Sequence, residues 1–116
     1  MEIWVNPACS KCRAATAALD GAGVEYAVRR YLDDPPTSAE LGEVVRRLGL
    51  EPWHVARPKE TKQAGFADLP RDEAHRDEWL AAMAANPITI QRPIITADDG
   101  ETVIARDDET LKKLLS

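Results

Sequence analysis

The segment EIWVNPACSKCRAATAALDGAGVEYAVRRY, residues 2–31, joins two short β-rich runs through one helical pattern. Its β-branched and aromatic run Glu2–Val5 predicts a strand, which an Asn-Pro pair ends. Apolar residues then recur at helical spacing from Ser10 to a glycine stop at Gly21, and Val24–Tyr31 predicts a second strand. Strand, helix and strand within about thirty residues predict two parallel strands joined by a right-handed crossover helix.

The rest of the chain adds helices and then a hairpin with a final helix. Thr37 and Glu40 follow a prolyl break at the spacing of a helix capping box, and Asp107 or Asp108 can cap the last helix. The predicted elements are a helix at 37–48, short helical pieces and loop at 51–68, a helix at 72–85, a β-hairpin from 88–96 and 101–105, and a helix at 107–115. This order predicts an α/β fold.

Length, charge and hydropathy limit the classes of protein to which this chain can belong. Its 116 residues suit one domain, residues 1–116, and 44% hydrophobic with 30% charged residues suit a folded globular protein. A net charge of −5, from 15 basic and 20 acidic residues, gives no bulk attraction for nucleic acid or anionic membranes. No apolar run approaches the ~20 residues of a membrane span, and the N-terminus lacks a signal-peptide pattern. We therefore expect a cytoplasmic protein with no membrane partner and no direct nucleic-acid partner.

Two cysteines, Cys9 and Cys12, lie at the predicted passage from the first strand into the first helix. A helix N-terminus and nearby cations such as Lys11 and Arg13 can lower a thiol pKa from ~8.5 toward 7 or below. One helical turn separates the two thiols, so their Cα atoms should lie roughly 5–6 Å apart, close enough for a disulfide. A Cys-x-x-Cys motif beside this strand-helix-strand pattern predicts thioredoxin-like redox chemistry, with Cys9 as nucleophile and Cys12 as resolving thiol.

Two other roles for the cysteines stay open at this point. Both could be buried structural residues, as free cysteines often are. They could also form half of a zinc site with His54 and His75, although that separation matches no common zinc finger. The spacing of the cysteines favours redox chemistry, and we expect no metal site.

Pro93 interrupts the predicted strand Thr89–Thr96, where its missing N–H would cost a ladder hydrogen bond. In thioredoxin-like proteins a cis-proline before the third strand faces the active cysteine, and residues 91–95, QRPII, resemble that segment. We therefore expect a cis peptide bond before Pro93, the alternative being a trans proline on an edge strand.

Three arginines, Arg57, Arg92 and Arg106, are candidates for an anion site. An acidic chain that binds an anion must concentrate positive charge locally, and guanidinium groups hold tetrahedral oxyanions through paired planar donors. A helix N-terminus can add backbone donors to the same anion. Each arginine could also be a solvated surface residue, and periodicity alone does not bring them together.

Three segments together resemble the glutaredoxin-coupled arsenate reductase (ArsC) family and its relatives: NPACSKCR at 6–13, RPKE at 57–60 and RPII at 92–95. The resemblance covers nearly the whole chain. It implies a thioredoxin-like α/β fold, βαβ then ββα around a mixed four-stranded sheet, with a helical insertion at about residues 37–86. It also places the family's nucleophile on Cys9 and its oxyanion-binding arginines on Arg57, Arg92 and, by position only, Arg106.

The activity implied by this resemblance is the reduction of arsenate to arsenite. The Cys9 thiolate would attack arsenic, the arginines would neutralise the oxyanion, and a second thiol would release arsenite while a disulfide forms. The resemblance implies no bound cofactor. It implies a small oxyanion as substrate and an external thiol reductant as partner, either glutathione with glutaredoxin or a protein of the thioredoxin type.

Two departures from the family pattern favour an alternative function. Val5 stands where many of these reductases carry a histidine, and Cys12 stands where many carry a serine. The second departure resembles the Spx-type regulators, relatives that bind RNA polymerase and use such a cysteine pair as a redox switch. A redox-switched transcriptional regulator with RNA polymerase as its partner is therefore the alternative to the enzyme.

Overall fold

A computed structural model describes all 116 residues, and its four strands form one sheet in the order β2-β1-β3-β4. The strands are β1 (Glu2–Val5), β2 (Ala27–Arg30), β3 (Ile94–Thr96) and β4 (Thr102–Ile104). β2 runs parallel to β1, with Val28 opposite Ile3. β3 runs antiparallel to β1, with Ile95 opposite Ile3, and β4 runs antiparallel to β3. The mixed sheet and the order of its strands are those of the predicted thioredoxin-like fold.

The chain forms two compact units, residues 1–34 with 92–116 and residues 35–91. The first unit contains the sheet and the helices α1 (Ser10–Gly21) and α6 (Asp108–Leu115). The second contains α2 (Ser38–Leu48), α3 (Pro52–Val55), α4 (Pro58–Ala64) and α5 (Arg76–Ala85), with 3₁₀ turns at Glu73–His75 and Pro87–Thr89. None of the helices combines the length and apolar character that crossing a bilayer requires.

The core of the first unit lies between the sheet and its two helices. Ile3 and Ile95, which are neighbours across β1 and β3, are fully buried. α1 adds its buried face, and α6 adds Leu111. The whole cluster of buried residues is Ile3, Val5, Cys12, Ala15, Leu19, Ile95, Ala105 and Leu111. Cys12 is therefore part of the apolar core as well as part of the Cys-x-x-Cys motif.

α2, the longest helix of the second unit, has a defined cap at each end. At the start of α2 the Thr37 side chain accepts from the Glu40 amide at 3.1 Å, and the Glu40 carboxylate accepts from the Thr37 amide at 3.0 Å. This is the predicted capping box, and Gly49 ends the helix in the left-handed conformation that glycine adopts at low cost. Trp79 of α5 is buried, and its indole N–H donates to the Pro70 carbonyl.

Several helices and strands differ at their ends from those predicted from the sequence. The predicted strand 88–96 is shorter, because residues 87–89 turn as a 3₁₀ helix and only Ile94–Thr96 pair in the sheet. The predicted strand 24–31 also shortens, to Ala27–Arg30, and the predicted helix at 72–85 begins as a 3₁₀ turn. The bond between Arg92 and Pro93 is cis, as predicted. The predicted insertion at 37–86 falls within the unit 35–91.

We predict that Ile95→Ala lowers the free energy of unfolding by about 2–5 kcal/mol, because it leaves a cavity in a well-packed core. The matched control is Val28→Ala on β2, where the side chain is 52% exposed and the loss should stay within about 0.5 kcal/mol. Urea denaturation followed by circular dichroism measures both. Equal losses for the two variants would show that the sheet-helix core does not dominate the stability of this protein.

Candidate active site

Cys9 lies at the N-terminus of α1, at the end of the loop that follows β1. It is the N-cap residue, with extended backbone angles of φ −88° and ψ 122°, and its carbonyl accepts from the Arg13 amide at 3.1 Å. The loop is held by Asn6, whose side chain accepts from the Ala8 amide at 3.0 Å and whose carbonyl accepts from the Cys9 amide at 2.9 Å. The Asn-Pro pair thus turns the chain so that Cys9 is partly exposed at the helix end.

The surroundings of the Cys9 sulfur favour the thiolate. Partial burial raises the pKa of Cys9, but the Cys12 amide and thiol, the Lys11 amide and the Arg92 side chain stabilise the charged form and together lower it to about 7. The Lys11 and Cys12 amides belong to the first turn of α1, so the helix N-terminus stabilises the ionised sulfur. About half of the Cys9 side chains are therefore thiolate at neutral pH.

Cys12 has the opposite character. It is 2% exposed, and its sulfur accepts a hydrogen bond from the Asn6 amide at 3.4 Å. Burial raises the pKa of Cys12 to about 11, and proximity to Cys9 adds to the rise, while the Asn6 amide and Arg92 oppose it. Cys12 thus remains a thiol at neutral pH. The pair combines an ionised, partly exposed sulfur with a protonated, buried one.

Arg92 and Arg106 lie at the same end of the sheet as Cys9. Arg92 is 8% exposed, and its side chain hydrogen-bonds the Cys9 sulfur and so lowers the pKa of that thiol. The Nη1 atom of Arg106 donates to the Arg92 carbonyl at 2.8 Å. Arg106 thus supports the backbone of the segment that carries Arg92. Its predicted direct contact with an oxyanion stays a prediction.

Arg57 and the two histidines lie in the second unit, residues 35–91. Arg57 is the N-cap residue of α4, and its Nε atom pairs with the Glu60 carboxylate at 3.2 Å. His54 accepts from the Glu51 amide through Nδ1, and His75 pairs with Asp72. The predicted role of Arg57 in binding an oxyanion stays a prediction, with Glu60 as a partner that sequence reasoning did not assign.

Two features of the site were absent from the sequence-based picture. Lys11 acts on Cys9 through its backbone amide, and the Arg13 side chain donates to the Pro7 carbonyl at 3.1 Å. The contribution of the Lys11 main chain was not predicted. Asn6 was also missed as the residue that holds the Cys12 sulfur through its main-chain amide. Its only sequence signal is its place directly before Pro7, which marks a turn but not a sulfur contact.

Comparison with known proteins places these residues in a family. Residues 4–114 match the sequence model of the ArsC family. The chain belongs to the ArsC family. It is 52% identical to a Streptomyces viridochromogenes protein described as an uncharacterized protein in the glnII region, over 100% of this chain and 99% of that one. It is 34% identical to an arsenate reductase of Neisseria meningitidis, over 99% of this chain and 97% of that one.

A solved structure of another member supports the same assignment. The putative arsenate reductase from Yersinia pestis superposes on this ArsC-family chain with a TM-score of 0.86 at 33% identity, and 97% of each chain is covered. Together with the strand order, this likeness confirms the thioredoxin-like α/β fold that the sequence predicts.

We predict that the rate of alkylation of Cys9 rises with pH about a midpoint near 7, whereas Cys12 stays unreactive until the pH approaches about 11. Because folding lowers the pKa of Cys9, its thiolate reacts down to about pH 7 and loses reactivity below that pH. Cys12 stays protonated over the same range and should remain unlabelled. Iodoacetamide labelling of the native protein, with each site located by peptide fragmentation, measures both profiles. A midpoint for Cys9 at or above about 8.5, or faster labelling of Cys12 at pH 7, would contradict the assignment.

Proposed function

We propose that this protein is a thiol oxidoreductase that reduces arsenate to arsenite through Cys9. The observation that carries the proposal is the contact of the Arg92 side chain with a Cys9 sulfur whose pKa is about 7. The ArsC family and the relatives named as arsenate reductases support the choice of substrate. The uncharacterized Streptomyces relative, at higher identity, leaves the substrate itself as a proposal.

Binding of arsenate would use the donors that already stabilise the Cys9 thiolate. Arg92 offers a planar guanidinium, and the first amides of α1 point toward the same place. Such donors fit a tetrahedral oxyanion better than a point charge does. We propose that Arg57 adds a further guanidinium to the oxyanion. Arg106 would act chiefly as a positioning residue, through the Arg92 carbonyl, and could use its remaining donors on the oxyanion.

The first chemical step is an attack of the Cys9 thiolate on arsenic. An S–As bond forms and one arsenate oxygen leaves as hydroxide, which takes up a proton to become water. A second thiol then attacks the Cys9 sulfur. The S–As bond breaks with its electron pair going to arsenic, which departs as arsenite, and a disulfide forms. The two electrons that reduce arsenic therefore come from two thiols.

We propose that Cys12 supplies the second thiol. Its sulfur lies one helical turn from Cys9 and is close enough to influence the pKa of Cys9. The high pKa of Cys12 keeps it protonated, so it does not compete for the substrate before Cys9 has reacted. An external thiol, of the glutathione and glutaredoxin type or the thioredoxin type, would then reduce the disulfide. We propose that the protein acts in the cytoplasm, which maintains such thiols in reduced form.

The predicted alternative, a redox-switched regulator that binds RNA polymerase, requires the same disulfide but no turnover. The buried Cys12 thiol one turn from Cys9 is the observation that favours it. Arsenate-dependent consumption of thiols distinguishes the two functions, because only the enzyme requires it.

The test of the enzyme is arsenate-dependent oxidation of thiols by the purified protein. We expect turnover with glutathione and glutaredoxin or with a thioredoxin system, and none for Cys9→Ser. In the same assay Arg92→Ala should raise the activation barrier by about 2–4 kcal/mol, the cost of removing one preorganised donor. Arg92→Lys should recover only part of this, because it keeps the charge but loses the planar fork.

The matched control for these variants is Arg46→Lys on α2, where the exposed side chain pairs with Glu43. It should leave the turnover unchanged. Equal turnover in wild type, Arg92→Ala and Arg92→Lys would contradict the role of Arg92. A wild-type protein that is inert to arsenate but binds RNA polymerase in a pull-down would instead support the regulator.

We also predict that mild oxidation joins Cys9 to Cys12 within one chain, since residues one helical turn apart can reach normal disulfide geometry. Mass spectrometry of peptides prepared without reduction would detect the linkage. The Cys12→Ser variant is the control and should form no intramolecular bond. Mainly intermolecular disulfides in the wild-type protein would exclude Cys12 as the resolving thiol.

A further inference from the structure

We infer that the same site also reduces hydroperoxides, with Cys9 as the thiol that attacks the peroxide and Cys12 as the thiol that resolves the product. This activity goes beyond the proposed arsenate chemistry. It shares with that chemistry the Cys9–Cys12 disulfide and the external thiol, but it needs no bound oxyanion.

Peroxide reduction by a cysteine requires a thiolate, access for a small molecule, and a nearby resolving thiol. Cys9 meets the first two requirements, because it is partly exposed and half ionised at neutral pH. Cys12 meets the third, and its burial keeps it from being oxidised first. A donor that can stabilise the departing oxygen further favours the reaction, and the Arg92 side chain on the Cys9 sulfur provides one.

The Cys9 thiolate attacks one peroxide oxygen, the O–O bond breaks, and Cys9 becomes a sulfenic acid while the other oxygen leaves as hydroxide or alkoxide and takes up a proton. The Cys12 thiol then attacks the Cys9 sulfur, a disulfide forms and water leaves. Two external thiols reduce the disulfide to two protein thiols and become oxidised to a disulfide themselves. Each cycle thus converts one hydroperoxide and two thiols to an alcohol or water, one further water and a disulfide.

The ionisation of Cys9 alone accounts for only a small rate increase. At pH 7 a thiol of pKa about 7 is about half ionised, against about 3% for an ordinary cysteine of pKa about 8.5. Thiolates of lower pKa are weaker nucleophiles. If nucleophilicity depends on pKa here as it does in thiol–disulfide exchange, the gain from ionisation is reduced by a factor of about four to six. The net gain over a free thiol is about threefold. A larger rate requires the Arg92 donor to act on the departing oxygen.

The experiment measures oxidation of the reduced full-length protein by hydrogen peroxide, without arsenate, as a function of pH. The reference thiol is the single cysteine of a short unstructured peptide, with a pKa of about 8.5. The plateau rate at high pH gives the reactivity of the fully ionised Cys9. We expect the wild-type rate at pH 7 to exceed that of the peptide by more than about tenfold. The plateau rate of Arg92→Lys should fall by about tenfold, because the planar donor is lost. Arg46→Lys should match wild type, and circular dichroism checks that each variant is folded.

Cys12→Ser tests the resolving step. This variant should accumulate a Cys9 sulfenic acid that dimedone traps, whereas the wild-type protein should form the Cys9–Cys12 disulfide and turn over with dithiothreitol. A wild-type rate less than about tenfold above that of the reference peptide, or a plateau rate for Arg92→Lys equal to that of wild type, would overturn the inference. Arsenate turnover with slow peroxide oxidation would remove only this inference. Fast peroxide turnover without arsenate reduction would remove the proposed substrate and keep this activity.

Discussion

β1 pairs with a neighbouring strand along both of its edges, and this double pairing determines where the reactive groups lie. The parallel partner β2 requires a crossover, which α1 supplies, so the loop after β1 ends at a helix N-terminus. The antiparallel partner β3 begins opposite the end of β1, with Ile94 across from Trp4. Arg92, which directly precedes β3, and Arg106, which follows β4, therefore come to the end of the sheet that holds Cys9.

The chemistry of the site depends on a difference in burial between two cysteines of one motif. The helix N-terminus and Arg92 act on Cys9, where water still reaches the sulfur. Cys12 belongs to the apolar cluster beneath the sheet, and burial outweighs the hydrogen bond from Asn6. One helical turn thus separates two thiols whose pKa values differ by about four units, from about 7 to about 11. This difference makes Cys9 the more reactive thiol at neutral pH.

The sequence predicted best those features that interactions between neighbouring residues determine. The capping box at Thr37, the cap at Asp107 and the strand-helix-strand order each follow from neighbouring residues, and each is present. The predicted start of the strand that contains Pro93 was wrong, because residues 87–89 form a 3₁₀ turn that strand propensity does not reveal. The amide of Asn6 on the Cys12 sulfur was not predictable either, since a main-chain contact leaves no mark on residue choice. The contact of Arg106 with the Arg92 carbonyl was not predictable either, because the two residues lie 14 positions apart in the chain.

Arg106 holds the main chain at residue 92 and makes no use of the Arg92 side chain in this contact. A main-chain oxygen is the same whichever side chain the residue carries, so the segment before Pro93 keeps this support when residue 92 is replaced. A substitution at residue 92 can therefore place a different side chain near the Cys9 sulfur while the hydrogen bond from Arg106 to the main chain is kept. Under the proposed function, the group that contacts the substrate can then change through single substitutions, so residue 92 is a natural point for divergence of specificity.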